Sequence, residues 1–289
     1  MPPPFTVIIP AHNEEAVIER CLRTALCEAP AGHGTQIIVA ANGCDDRTAS
    51  IAREFPANID VVEIAEGSKT KAMNAASAVA KYFPRIYLDA DIQCDFRSLS
   101  AVAHALRKPG IMAASPALRL DLTRSNFLVR AYYRVWTTQP YVTQSMVGSG
   151  CYGLSEAGSR RIGAFPDLVG DDIWVHSTFP KNARENVSQT KNGEPVFFVV
   201  SPPRRAWDQI RVETRRRLGN AELRARFPEL NYTGSNSWTD LKAARRSGAS
   251  VADILAYLGM KITARVRVGL LRRNGRAIEW ERDELARRA

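Results

Sequence analysis

The chain lacks any pair of cysteines at C-x-x-C spacing, and its five cysteines, at 21, 27, 44, 94 and 151, are odd in number. Free thiols in a reducing compartment are therefore expected rather than a disulfide framework. No apolar run approaches the ~20 residues that a membrane span needs. The longest, "VADILAYLGM" from 251, carries an aspartate. The opening "MPPPFTVIIP" has neither a basic n-region nor a long apolar h-region, which argues against a secretory signal. Internal repeats and low-complexity tracts are missing as well. A cytoplasmic protein, soluble or peripheral at the inner face of a membrane, is the expectation.

What is present suits one large domain, or a domain with an appendage: 289 residues, 45% of them hydrophobic. The net charge of +10 and the pI near 9.6 point to an acidic partner, whether nucleic acid, an anionic membrane or a phosphorylated small molecule. The basic residues concentrate after position 200, with no interleaved aromatics to act as a stacking platform, so nucleic acid is not expected.

Strand and helix signals alternate through the first half. "FTVII" (5–9) is a β-branched run, followed by Asn13 as a candidate helix N-cap and apolar positions Val17, Ile18, Cys21, Leu22 and Ala25 at helical spacing. "IIVA" (37–40) opens a second strand, and Asp45 or Asp46 caps a helix to Phe55. "IDVVEI" (59–64) is a third strand, and a helix from about Thr70 to Phe83 turns Met73, Ala76, Val79 and Ala80 inward. "RIYL" (85–88) is the fourth strand. Such alternation implies βαβ units and a mostly parallel sheet, whose ligands sit beyond the carboxyl ends of the strands. "PAHNEE", "ANGCDD" and "DADIQ" all fall at that edge. Further on, "SNFLVRAYYRVW" (125–136) reads as an amphipathic helix. "VGSGCYGLS" (147–155) reads as a strand or loop with close backbone approach, "EPVFFVV" (194–200) as a late strand, and the tail from 251 to 289 as basic and helical.

Asp89 and Asp91, with Gln93 a third alternate position, offer hard oxygen ligands. In an extended segment the two aspartates face each other, and a cation relieves their repulsion. That suits Mg²⁺ or Mn²⁺ completed by substrate phosphates; the alternative is a solvated turn. Asp171 and Asp172 are candidates for a general base, or for helix caps. Arginines 204, 205, 211, 215, 216 and 217 are candidates for a diphosphate clamp, against a solvated helix face. His176 reads as a structural histidine before a metal ligand.

Together, "VIIPAHNEE" (7–15), "VAANGCDDRT" (39–48), "SKTKAMNAA" (68–76), "YLDADIQ" (87–93) and "VGDDIWV" (169–175) resemble, in order and spacing, the family 2 glycosyltransferases over residues 5 to about 220. The resemblance implies a GT-A type αβα sandwich with a mostly parallel central sheet, followed by a C-terminal helical, basic extension. It divides the chain into a domain at 1–220, with a nucleotide-binding part to about 115 and an acceptor side beyond it, and an extension at 221–289. It further implies inverting transfer of a sugar from a nucleoside-diphosphate sugar to a hydroxyl or amine of an unidentified acceptor, with Mg²⁺ or Mn²⁺ as cofactor.

Pro10, His12 and Glu14 match the family's first nucleotide-contacting loop, Asn42 its second loop, and Lys69 its basic "GK" position. Asp89, Ala90 and Asp91 match D-x-D. The spelling "DADIQ" is similar to the dolichol-phosphate-mannose synthase branch, which adds Gln93 to the metal set. Asp172 matches the catalytic base of the family's "ED" motif, with Asp171 in place of its glutamate, and Arg215 joins the donor contacts. Two departures stand out: Ala41 replaces the aspartate that contacts the nucleobase in many members, and the Q-x-x-R-W motif of processive synthases is absent, with Trp207, Gln209 and Arg215 arranged differently. The rivals are a nucleotidyltransferase, which needs a glycine-rich basic loop where "PAHNEE" stands, and a non-catalytic basic module for anionic partners. The basic tail carries an expectation of peripheral membrane contact.

Overall fold

The structure, a computed structural model, describes residues 3–143, 147–230, 232 and 238–273. Along the chain run β1 (Thr6–Ala11), α1 (Ile18–Ala25), β2 (Gln36–Asn42), α2 (Thr48–Arg53), β3 (Ile59–Ile64), α3 (Lys69–Val79), β4 (Arg85–Leu88) and β5 (Gln93–Cys94). These are followed by α4 (Phe96–Ala105), β6 (Ala113–Leu120), α5 (Phe127–Trp136), α6 (Pro140–Thr143), β7 (Cys151–Leu154), α7 (Glu156–Ile162) and α8 (Asp171–Thr178). The last elements are β8 (Arg184–Val187), β9 (Phe197–Val200), α9 (Ala206–Arg226), α10 (Trp238–Arg246) and α11 (Val251–Arg273).

The strands lie in the order β3-β2-β1-β4-β7-β6-β9-β5, with β8 beside β6. β1 to β4 are mutually parallel, so their carboxyl ends share one edge; β7 runs antiparallel to both β4 and β6. Every residue of β1 and β2 is buried, because helices cover both faces of the sheet. Val7 and Ile9 pack on one side with Ile18, Leu22, Leu99 and Val102 of α1 and α4. Ile8 and Ile38 pack on the other with Met73 and Ala76 of α3 and Trp174 of α8. Alternation within a strand thus feeds two cores, as the αβα layering requires.

Several local expectations shift. Asn13 does not cap α1: it adopts φ 51°, its side chain accepts from the Asp45 backbone N–H at 2.9 Å, and the helix starts only at Ile18. Asp46 rather than Asp45 serves the next helix, accepting from the Thr48 N–H at 2.9 Å. α3 ends at Val79, which is 49% exposed, since Ala80 leaves helical geometry. Asp95 does cap α4, through the Ser98 N–H at 2.7 Å. The boundary expected at 220 falls inside the continuous α9, and α11 packs along α5 and α9. Tyr132, Val135 and Trp136 of α5 share a core with Tyr257 and Met260 of α11, so the helical extension completes that core rather than trailing from it. Residues 274–289 of the expected basic tail lie outside the described residues.

Candidate active site

The three polar clusters expected at the carboxyl edge converge there, since β1, β2 and β4 are neighbours in parallel register. Pro10 and Ala41 are buried in the strands themselves. His12 leaves β1 with its Nδ1 against the Asn42 carbonyl at 2.5 Å, and its ring packs over Gly67, where an added Cβ would meet it at 3.4 Å. The Asn42 amide donates to the Ala11 carbonyl at 2.7 Å and so ties two strand ends together. Glu14 is buried, and its backbone N–H donates to the Thr48 hydroxyl at 2.7 Å. Beside these residues a cleft of about 450 Å³ is lined by Ala41, Gly43, Cys44, Glu63, Ile64 and Ala65. Its wall depends on Gly43, which has a positive φ and where an added Cβ would lie 2.8 Å from the Gly67 nitrogen.

α3 begins with Lys69 and Lys71 and carries no acid in its first turn, an unfavourable arrangement for a helix dipole. The offset is tertiary. The Lys69 ammonium lies 2.6 Å from Asp89 Oδ1 and 3.0 Å from Asp171 Oδ1, bridging the end of β4 to the start of α8. Burial lowers its pKa, but Asp171 and Asp89 outweigh that and hold it well above the ordinary lysine value. Asp171 is buried, and its second oxygen accepts from the Tyr152 hydroxyl at 2.8 Å. Both Asp171 oxygens are thus engaged, one by the Lys69 ammonium and the other by the Tyr152 hydroxyl.

Asp89 and Asp91 are not set by strand alternation. The chain leaves β4 at Leu88 and turns, with the Ile92 N–H donating to the Asp89 carbonyl at 3.0 Å. The two carboxylates nonetheless interact. Burial pushes the Asp89 carboxyl up to about 6, Asp171 and Asp91 add to the rise, and Lys69 opposes it. Ala90 is buried between them, and Gln93 sits on the short β5, paired with Val199 of β9.

The loop Val147–Gly150 supplies what the sequence pattern only hinted at. Gly148, Ser149 and Gly150 all have positive φ. A Cβ on Gly148 would lie 2.9 Å from the Asp172 Cβ, and one on Gly150 would meet Ile92 at 2.8 Å and Asp89 Oδ2 at 3.3 Å. The Gly150 carbonyl accepts from the Asp89 N–H at 2.8 Å, and the Ser149 N–H donates to Asp172 Oδ2 at 3.1 Å. One glycine-rich loop therefore positions both carboxylates. Burial, with Asp171 adding, raises the Asp172 pKa, so its carboxylate holds a proton more readily than an exposed aspartate does.

Ser149, Tyr152 and Gly148 were not singled out individually by the sequence; the run of glycines at 148, 150 and 153 was their signal. His176 is 1% exposed, contacts Arg184, and accepts from the Val147 N–H at 3.3 Å. Burial drives its pKa down to about 3, so the ring is a neutral support beneath this loop. Arg215 lies half-buried on α9, where its neighbours Arg216 and Arg217 turn to Glu213 at 2.8 and 3.2 Å. The arginine clamp expected of this stretch is thus drawn inward at two of its six positions.

The residues fit a divalent ion. Asp89 and Asp171 share the Lys69 ammonium, and burial raises the Asp89 pKa, with Asp171 and Asp91 adding to the rise, so a cation here would favour its ionised form. Among the described residues no three His, Cys, Asp or Glu side chains form a closed cage. Mg²⁺ and Mn²⁺ take one or two carboxylates and leave the remaining positions to substrate oxygens.

Comparisons with known proteins agree with this geometry. The profile described as Glycosyl transferase family 2 matches residues 6–160. A mannosyltransferase from Pyrobaculum calidifontis, solved with GDP-Man and Mn²⁺, is similar with a TM-score of 0.58 and 20% identity, over 94% of this chain and 76% of its own. Glucosyl-3-phosphoglycerate synthase from Mycobacterium tuberculosis, solved with Mn²⁺, UDP and glucosyl-3-phosphoglycerate, has a TM-score of 0.52 at 19% identity, over 77% and 79% of the two chains. At such identities the likeness is one of fold, the GT-A type. No curated protein matches the sequence. The profile spans more than half of the chain and runs from β1 through the D-x-D turn to the Gly148 loop: the chain belongs to glycosyl transferase family 2.

Proposed function

We propose that the protein transfers a sugar, with inversion, from a nucleoside-diphosphate sugar to a hydroxyl or amine of its acceptor. The observation that carries this reading is the Lys69 bridge, which sets the metal-type carboxylate Asp89 and the α8 acids against one another across a single cleft edge. Mg²⁺ or Mn²⁺, the ions named in the related solved complexes, would be held by Asp89 and Asp91, with Gln93 adjacent. Once bound, such an ion neutralises charge on the leaving diphosphate.

The chain's own residues do the rest. The nucleoside enters the cleft over Ala41, between β2 and β3, with Pro10, His12 and Glu14 on the neighbouring end of β1 as further donor contacts. Asn42 acts through the backbone it holds, and Arg215 is the arginine retained for diphosphate contact. Asp172 takes the proton of the attacking group. Its raised pKa makes it a better base than a solvated aspartate, while the Ser149 N–H fixes its orientation. Asp171 positions Lys69 and the start of α8. The absence of an acid at Ala41 favours no base by charge, so UDP- and GDP-sugars, both represented among the related complexes, are the first to test.

The test is a thermal-shift panel of UDP-, GDP-, CMP- and TDP-sugars with and without Mn²⁺, followed by product anomeric configuration from proton couplings with the stabilising donor. A metal-dependent shift and an inverted product are expected. A retained configuration would overturn the single-displacement reading.

A further inference from the structure

Helix α11 is apolar on two opposite faces. One, with Tyr257, Met260 and Ala264, is buried against α5 and α9. The other carries Val251, Leu255, Ile262, Val266 and Leu270, which are 55–64% exposed and recur at multiples of about four residues. Such spacing keeps them in one stripe, roughly 30 Å long at 1.5 Å rise per residue. A solvated helix face of a soluble domain has no reason to carry it.

The charge around the stripe says what covers it. Residues 1–200 contain 20 Lys and Arg against 20 Asp and Glu, so the whole +10 excess lies in residues 201–289, which contain 20 against 10. On the described helix, Arg265 and Arg267 fall on opposite flanks of the stripe, and Arg272 and Arg273 close its end. Its one acid, Asp253, is 4% exposed and held by Arg134 at 2.9 Å. Beside it Trp207 of α9, 54% exposed, lies under Arg267 at 5.8 Å. A second copy of the chain pairing through this face would bring arginines together with no exposed carboxylate of the described helix to offset them. A flat anionic surface meets both features at once. The apolar stripe enters the acyl boundary, while the flanking guanidinium groups reach lipid phosphates along their own aliphatic stems.

We propose that the outer face of α11 is a docking surface for an anionic lipid bilayer. This inference stands apart from the donor site and survives any outcome there. The experiment is co-sedimentation of the full chain with phosphatidylcholine vesicles, with and without phosphatidylglycerol, at low and high salt. The wild type pellets with the anionic vesicles and is released by salt. The combined substitution Leu255→Glu, Ile262→Glu and Val266→Glu lowers the partition coefficient at least about ten-fold. Ile262→Ser with Val266→Ser, which adds no repulsion, also weakens binding, and all variants melt as the wild type does. A wild type that stays in the supernatant with anionic vesicles at low salt overturns the proposal. So do glutamate or serine variants that pellet as fully as wild type, equal binding to neutral vesicles, and a wild-type dimer by light scattering that the glutamate variant converts to monomer.

Discussion

Residues 1–200 balance their charges and hold Asp89 and Asp171 on one buried lysine, whereas the helical region beyond them is strongly basic and buries one glutamate among three cations. Burial pushes both Asp89 and Glu213 upward. For Asp89 the neighbouring acids add to that and leave it near 6; for Glu213, Arg216, Lys261 and Arg217 overcome it and hold the carboxylate below its ordinary range. Glu213 also accepts from the Tyr132 hydroxyl at 3.1 Å, so its oxygens are saturated. The contrast separates two uses of a buried acid. Glu213 is complete within the fold and serves to dock α9 on α5 and α11. The Asp89 carboxyl stays above its ordinary range in spite of Lys69, and a cation brought in with a diphosphate would favour its ionised form.

The comparison breaks most visibly at Asp172. Replacement by asparagine leaves one oxygen to accept from the Ser149 N–H, gives up acceptance from the Ile173 N–H and removes the base, and transfer falls by about 10³-fold with donor affinity unchanged, measured by initial rates beside calorimetric binding. On the basic side, Glu213→Ala strands Arg216, Arg217 and Lys261 and costs about 3 kcal/mol in denaturant melts. Gly148→Ala forces a Cβ to 2.9 Å from Asp172 at φ 139°. It costs about 2 kcal/mol and lowers the turnover number more than it raises the Michaelis constant for donor.

A pH series sharpens the same contrast with the smallest effect. Because the folded pKa of Asp89 is raised, the folded state holds the proton between the usual aspartate range and about 6, so ionising the site lowers stability as pH rises through that window. A metal ion needs the ionised form. Its thermal stabilisation of the donor complex is therefore full above about pH 6 and declines below it, by about ten-fold in affinity per pH unit. Glu213 has the opposite sign: its depressed pKa stabilises the fold above the ordinary glutamate range, and that contribution is lost as pH falls through the lowered value.

The strands were readable because β-branched and apolar runs have local causes, and the Asp95 cap was readable for the same reason. The crowding of Asp89 and Asp91 was anticipated, but by the wrong route: a turn, not strand alternation, brings them together. What periodicity could not supply is contact between distant positions. Tyr152 with Asp171, Lys69 with both acids, and the Ser149 amide on Asp172 join residues separated by 19 to 102 positions. Asn42 is a further case. Its type suggested a ligand contact, and its short amide also donates to the Ala11 carbonyl, a contact that no spacing announces.

Donor binding by calorimetry, with and without Mn²⁺, on wild type, Asp91→Ala and Asp172→Asn, tests the central claim most directly. Metal-dependent binding in wild type and Asp172→Asn, weakened at least about 100-fold in Asp91→Ala, is the predicted result. Equal, metal-independent binding in all three would contradict it.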